Sequence, residues 1–270
     1  IRDRGSNNQY TNFTSIGGKK NKFSFYAFYN HKRGDGFRNN SNYKSNNVYV
    51  HLKQNLSNKS ELSGEVTYMN YLAKQAGGLS DRMFINNPMQ SNRSRNWFEL
   101  DWLLYNFKFK HRFNEKTNLS FSLFGLDAER NTVGFRTNRV DQVDPLTERD
   151  LIRGNFNNHG IELKILRKYK INEKKGTFVL GGKYYRSKSL SKQGPGSEGA
   201  DADFNIYLDE FPNYSNQSNY IYPNKNFAFF GENVFYINER LSFTPGFRVE
   251  NIVTKSNGNY KKINLDGAGN

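Results

Sequence analysis

The chain has 270 residues, with 40 Lys and Arg against 25 Asp and Glu, a formal charge of +15 and no cysteine. The missing cysteine excludes a disulfide scaffold, thiolate metal sites and a cysteine nucleophile together. A basic balance points first to nucleic acid or another anion, yet the cations are spread through strand-like runs and loops, with no basic helix and no RNP-like or zinc-finger pattern, so no nucleic-acid partner is expected.

Taken in chain order, the predicted elements are about ten β-strands, at residues 8–16, 21–31, 45–55, 60–71, 97–113, 117–130, 156–170, 175–188, 224–237 and 240–254. Five short polar turns punctuate them: Gly17-Gly18-Lys19-Lys20, Asn55-Leu56-Ser57-Asn58-Lys59, Asn114-Glu115-Lys116-Thr117-Asn118, Asn172-Glu173-Lys174-Lys175-Gly176 and Asn238-Glu239-Arg240. Between these hairpins lie long loops rich in Asn and Gly. Short turns on one rim and long loops on the other are the pattern of an outer-membrane β-barrel.

Residues alternate within the strands. From Leu103 to Phe113 the odd positions carry Leu103, Tyr105, Phe107, Phe109, His111 and Phe113, and the even ones Leu104, Asn106, Lys108, Lys110 and Arg112. A soluble sandwich gives the same period of two. Length favours the barrel, because runs such as Trp97 to Phe113 reach the 9–11 residues that a tilted strand needs to cross the hydrocarbon layer, whereas soluble strands usually stop near 5–6. The expected sidedness places Tyr105, Phe107, Phe109, Phe121, Leu163, Phe243 and Phe247 on the lipid face, with Lys108, Lys110, Arg248 and Glu250 in the lumen. Trp97 and Trp102 are expected near an interfacial ring.

A mean hydropathy of -0.88 is no objection, since a barrel with a wet lumen exposes apolar groups on one face only. Its 23 Phe and 17 Tyr suit a lipid-facing band with girdles. No stretch approaches the ~20 apolar residues of a membrane helix.

The loops carry the candidate chemistry. The first, residues 31–46, holds Lys32, Arg33, Arg38 and Lys44 around Gly34 and Gly36, and several cations there could converge on an anion. The second, residues 73–96, holds Arg82, Arg93 and Arg95. The third, residues 131–155, mixes Arg136, Arg139, Arg149 and Arg153 with Asp141, Asp144, Glu148 and Asp150, which makes it a weaker ligand site. In the fourth, residues 189–223, Asp201, Asp203 and Asn205 stand at calcium-loop spacing, but Ile206 and Pro212 occupy the positions where that motif needs Gly and Glu. His31, His51, His111 and His159 have neither metal-ligand spacing nor a nucleophile beside them. Nothing points to an enzyme or a cofactor.

The run Phe227-Ala228-Phe229-Phe230-Gly231-Glu232-Asn233, the Ile237-to-Phe243 turn and the string Thr244-Pro245-Gly246-Phe247-Arg248-Val249-Glu250 together resemble a mid-barrel hairpin of TonB-dependent outer-membrane receptors. Gln75-Ala76-Gly77-Gly78-Leu79-Ser80 with Asn96-Trp97-Phe98, and Lys32-Arg33-Gly34-Asp35-Gly36-Phe37-Arg38, are similar to the ferric dicitrate subgroup. The resemblance implies an all-β, antiparallel, up-and-down transmembrane barrel in the outer membrane of a Gram-negative bacterium. Residues 1–270 would form about ten strands of a 22-stranded whole, with a plug domain ahead of Ile1 and about a dozen strands after Asn270. It further implies active uptake of a ferric siderophore or ferric citrate, powered by the TonB complex through the missing N-terminal part. The implied ligand contacts are Arg33 and Arg38, then Lys44, with Arg82, Arg93 and Arg95 of the second loop as further candidates. A passive porin or adhesion barrel is the alternative, and a soluble basic β-protein that binds polyanions is the third.

Overall fold

The computed structural model describes residues 2–137, 139–172 and 174–261. Their elements run β1 Arg2–Arg4, β2 Tyr10–Lys20, β3 Phe23–Gly34, β4 Tyr43–Asn55, β5 Ser60–Lys74, α1 Asp81–Asn86, β6 Trp97–Asn114, β7 Thr117–Gly134, β8 Asp150–Ile171, β9 Lys174–Pro195, β10 Ser218–Tyr236, β11 Ser242–Phe243, β12 Gly246–Thr254 and β13 Asn257–Tyr260. From β1 to β10 each strand pairs antiparallel with its neighbours in sequence, in one sheet without crossovers. The free edge of β10 is then lined in succession by β11, β12 and β13. Thr244 and Pro245 interrupt that edge, because proline has no N–H to donate to a ladder. The Pro245 carbonyl still accepts the Asn233 N–H at 2.9 Å.

The chain is therefore an all-β, antiparallel, up-and-down barrel wall. The ten expected strands correspond to β2 through β10 and the β11–β12 edge. Several boundaries differ, among them Thr117–Asn118 and Lys174–Gly176, expected in turns but placed on β7 and β9, and two differences are instructive. Gly17 to Lys20 do not form the first turn; they belong to β2, with Gly17 opposite Tyr26 and Lys20 opposite Phe23. The turn lies at 21–22, where Asn21 adopts a φ of 53°, a left-handed conformation that Asn tolerates. Strands β8 and β9 are the second difference, since each reaches 22 residues, and they take in residues 150–155 of the expected third loop and 189–195 of the expected fourth. Arg153, expected in a loop, sits on β8 opposite Lys192 of β9.

Register assigns the faces. Paired residues share a face, so one row runs Leu52, Gly64, Phe107, Leu123, Ile161, Tyr184 and Phe227 across β4 to β10. The adjacent row runs Leu62, Phe109, Phe121, Leu163, Gly182, Phe229 and Val249. Phe107 is 46% exposed and Phe227 57%. A contiguous apolar surface of this size is far from usual for a protein surrounded by water. Tyr105, Phe107, Phe109, Phe121, Leu163, Phe243 and Phe247 all fall on this face, and Lys108, Lys110, Arg248 and Glu250 on the other.

The polar face is cross-linked. Glu61 meets Lys53 at 2.5 Å and Lys110 at 3.4 Å. Glu65 accepts hydrogen bonds from Tyr49 and Asn106 at 3.0 Å each. Among the described residues fully buried apolar side chains are few, Val133, Leu151 and Ala228 included, as expected of a single-layered wall. Trp97 and Trp102 are five positions apart, so they fall on opposite faces. Trp102 points to the polar side and Trp97 to the apolar side, where its Nε1–H donates to the Ala200 carbonyl at 2.9 Å.

Candidate functional site

Four connections rise from the long-loop rim, at 35–42, 75–96, 135–149 and 196–217. Outside α1, and among the described residues, their backbone is irregular and its carbonyls have no ladder partner. Arginine supplies the missing donors, since its planar guanidinium presents five N–H groups in a fixed fork.

The ties run from loop to loop. Arg38 joins the first loop to the second, donating from Nε and Nη2 to the Gln90 carbonyl at 3.1 and 2.9 Å and from Nη1 to that of Gly77 at 2.8 Å. Arg93 joins the second to the third, with Nη1 3.0 Å from the Gln142 carbonyl and the guanidinium 5.0 Å from the centre of the Phe135 ring. Arg95 binds Asp144 through Nε at 2.9 Å and Nη2 at 2.5 Å, while its Nη1 reaches the carbonyls of Thr147 at 3.0 Å and Glu198 at 2.7 Å. Arg149, with no exposure at all, closes the series on the fourth loop through the carbonyls of Ser197 at 2.9 Å and Asp201 at 2.7 Å and the Ser197 hydroxyl at 2.6 Å.

Titration behaviour follows from this packing. Burial pushes the Asp144 carboxyl up, but the Arg95 hydrogen bonds, the Leu146 amide and the charges of Arg95 and Arg93 outweigh it and hold the group below the usual carboxylate range. Burial beside Asp150, whose Oδ1 accepts the phenol hydrogen bond at 2.9 Å, pushes Tyr214 well above the ordinary phenol range.

The six candidate cations are thereby separated. Arg38, Arg93 and Arg95 are engaged within the loop cap. Arg82 is exposed on α1, a helix capped by the Ser80 hydroxyl, which accepts the Met83 N–H at 3.3 Å. Arg33 and Lys44 do not belong to a loop: they are a cross-strand pair on β3 and β4. Their row continues to Tyr10 on one side and Leu72 on the other, and it belongs to the apolar face. Arg33 and Arg38 thus turn in different directions. In the fourth loop, Asp203 folds the backbone on itself: Oδ1 accepts the Asn205 N–H at 3.0 Å and Oδ2 the Tyr207 hydroxyl at 2.6 Å.

Sequence reasoning set Arg149 aside in a loop of mixed charge. Nothing in the sequence marked it, because its acceptors are the carbonyls of Ser197 and Asp201 and the Ser197 hydroxyl in the fourth loop.

No protein-family profile matches the chain, and no curated protein sequence matches it. Solved structures do share its fold. The ferric citrate transporter FecA in its unliganded form superposes with a TM-score of 0.78 at 16% identity, over 96% of this chain and 37% of that one. The ferripyoverdine receptor of the outer membrane of Pseudomonas aeruginosa gives 0.73 at 12%, over 96% and 38%. The ferric-catecholate import receptor Fiu from E. coli K12 gives 0.71 at 9%, over 94% and 44%. The chain therefore spans less than half the length of the receptors whose fold it shares.

Proposed function

We propose that this chain forms part of the wall and outer mouth of a TonB-dependent receptor that takes up a ferric chelate, of the siderophore or ferric citrate kind, across the outer membrane of a Gram-negative bacterium. The observation that carries this reading is the fold shared over 96% of the chain with a ferric citrate transporter. The charged face lines the lumen and the apolar face meets lipid. Arg82, exposed on the second loop, meets the anionic chelate, and its fork can grip a carboxylate in bidentate fashion. Arg38, Arg93 and Arg95 shape the mouth by fixing the loops, which limits the entropy lost when a ligand is bound. Arg33 and Lys44, on the apolar face of the wall, do not share that task.

The test is uptake of radioactive ferric citrate by cells that express the intact receptor, with and without a functional TonB complex. Uptake that requires the complex is expected. Equal uptake in both strains would identify a passive channel instead.

A further inference from the structure

A groove of about 1070 Å³ opens on the apolar face at the long-loop end of β1 to β5, lined by Arg4, Tyr10, His31, Arg33, Lys44 and Leu72 among others. Register places the three cations together, since Arg4 pairs with Tyr10, Tyr10 with Arg33 and Arg33 with Lys44. The Arg33 guanidinium lies 5.7 Å from the Tyr10 ring centre, and Arg4, Arg33 and Lys44 are exposed. The carboxylate lining the groove, Asp35, already accepts a hydrogen bond from the Asn8 amide at 2.5 Å. Asp3 alternates to the other face. Further round the wall the same face bears acids, but these are paired: Asp101 accepts from Asn70 at 2.8 Å and Glu129 from Arg153 at 2.8 Å. The same face also bears exposed cations on β9 and β10, Arg186, Lys188, Lys192 and Lys225; the groove differs in setting its cations around a cavity.

Height decides what reaches it. Arg33 stands ten residues beyond Phe23, the first residue of β3, which is about 34 Å along an antiparallel strand at ~3.4 Å per residue. With a tilt of ~40° that is roughly 26 Å of height, matching an apolar band ~25 Å tall. The side chains below it on this face are Phe23, Phe25, Ala27, Tyr29 and His31, and Tyr29 donates to Asn46 at 2.9 Å as an interfacial tyrosine would. Arg33 and Lys44 therefore stand at headgroup level, on the lipid side of the wall.

We propose that this groove binds the phosphate-bearing headgroup of a glycolipid of the outer leaflet, with Arg33 and Lys44 as the phosphate ligands and Arg4 beside them. The guanidinium fork matches two phosphate oxygens, and the Lys44 ammonium adds a point charge. Leu72 and Tyr10 give an acyl chain or sugar an apolar surface to lie on. The inference rests on the outer-membrane placement proposed above, and not on what is transported.

The experiment uses the intact receptor in nanodiscs of phosphatidylcholine doped with diphosphoryl lipid A or with dephosphorylated lipid A, and native mass spectrometry counts the lipid that stays bound. Wild type should retain the diphosphoryl form preferentially. The R33S/K44S variant should bind it roughly 25-fold more weakly, at about fivefold per basic residue near an anionic surface, and R33K/K44R should recover most of the loss. Equal retention of the two lipids by wild type would overturn the proposal without any variant, and so would retention unchanged in R33S/K44S. Full displacement by millimolar inorganic phosphate would assign the groove to a soluble anion and overturn the lipid. A receptor that fails to enter any nanodisc would instead remove the outer-membrane placement.

Discussion

The loop cap and the outward groove use the same chemistry in opposite circumstances. Arg149 and Arg95 are 0% and 4% exposed, and their donors meet carbonyl oxygens of other loops. Arg33 and Lys44 are exposed, and beside Arg33 lies an aromatic ring. A basic residue therefore has no fixed role. Where irregular backbone must be buried, guanidinium groups serve as structural donors, and where the wall rises out of the apolar belt, cations face outward and await an anion.

The comparison breaks most visibly at Arg149. Arg149→Ala should destabilise the cap by about 3–5 kcal/mol, the range for removing one partner of a buried charged network, and should expose residues 135–149 and 196–217 to protease while the strands resist. Arg149→Lys should not rescue it, because an ammonium cannot serve three separated acceptors at once. Resistance equal to wild type would show that the cap is held by something else.

Next in size is a test of the faces. Phe107→Arg should cost about 2–4 kcal/mol of barrel stability near the midplane, measured by urea unfolding in bilayers. Lys108→Leu, one residue along, should cost far less. The reverse ranking would mean that lumen and lipid faces are exchanged.

Arg38→Ala should cost about 1–2 kcal/mol, because the carbonyl of Gln90 loses two donors and that of Gly77 loses one in a half-buried setting. Faster hydrogen exchange confined to the first two loops would register it. Exchange spread evenly over the wall would contradict a local tie.

The smallest expected effect is a dependence on acid. The Asp144 carboxyl titrates lower in the folded cap than in the unfolded chain, so its contribution is complete above the ordinary carboxylate pKa of about 4 and is lost as pH falls through the depressed value. Cleavage of the third loop should rise in that acid window and stay flat between about pH 5 and 8. Asp144→Asn should abolish the dependence.

The amino-acid sequence by itself determined the architecture wherever the two faces of a strand meet different surroundings. The alternation from Leu103 to Phe113 could be read because lipid selects one set of residues and the wet lumen the other, and that contrast fixes which side chains share a face. Above the belt the contrast disappears, since both faces are wet. Residues 150–155 and 189–195 consequently read as loop, although the hydrogen-bond ladder continues through them. The first loop suffered the same error: ending the strand at His31 discarded the parity that would have carried Phe23, Tyr29 and His31 on to Arg33 and placed it on the apolar face. Only tertiary structure decided the fate of the loop arginines. Arg95 reaches Glu198 across 103 positions, and its acceptor there is a backbone carbonyl, which every residue possesses and no sequence pattern distinguishes.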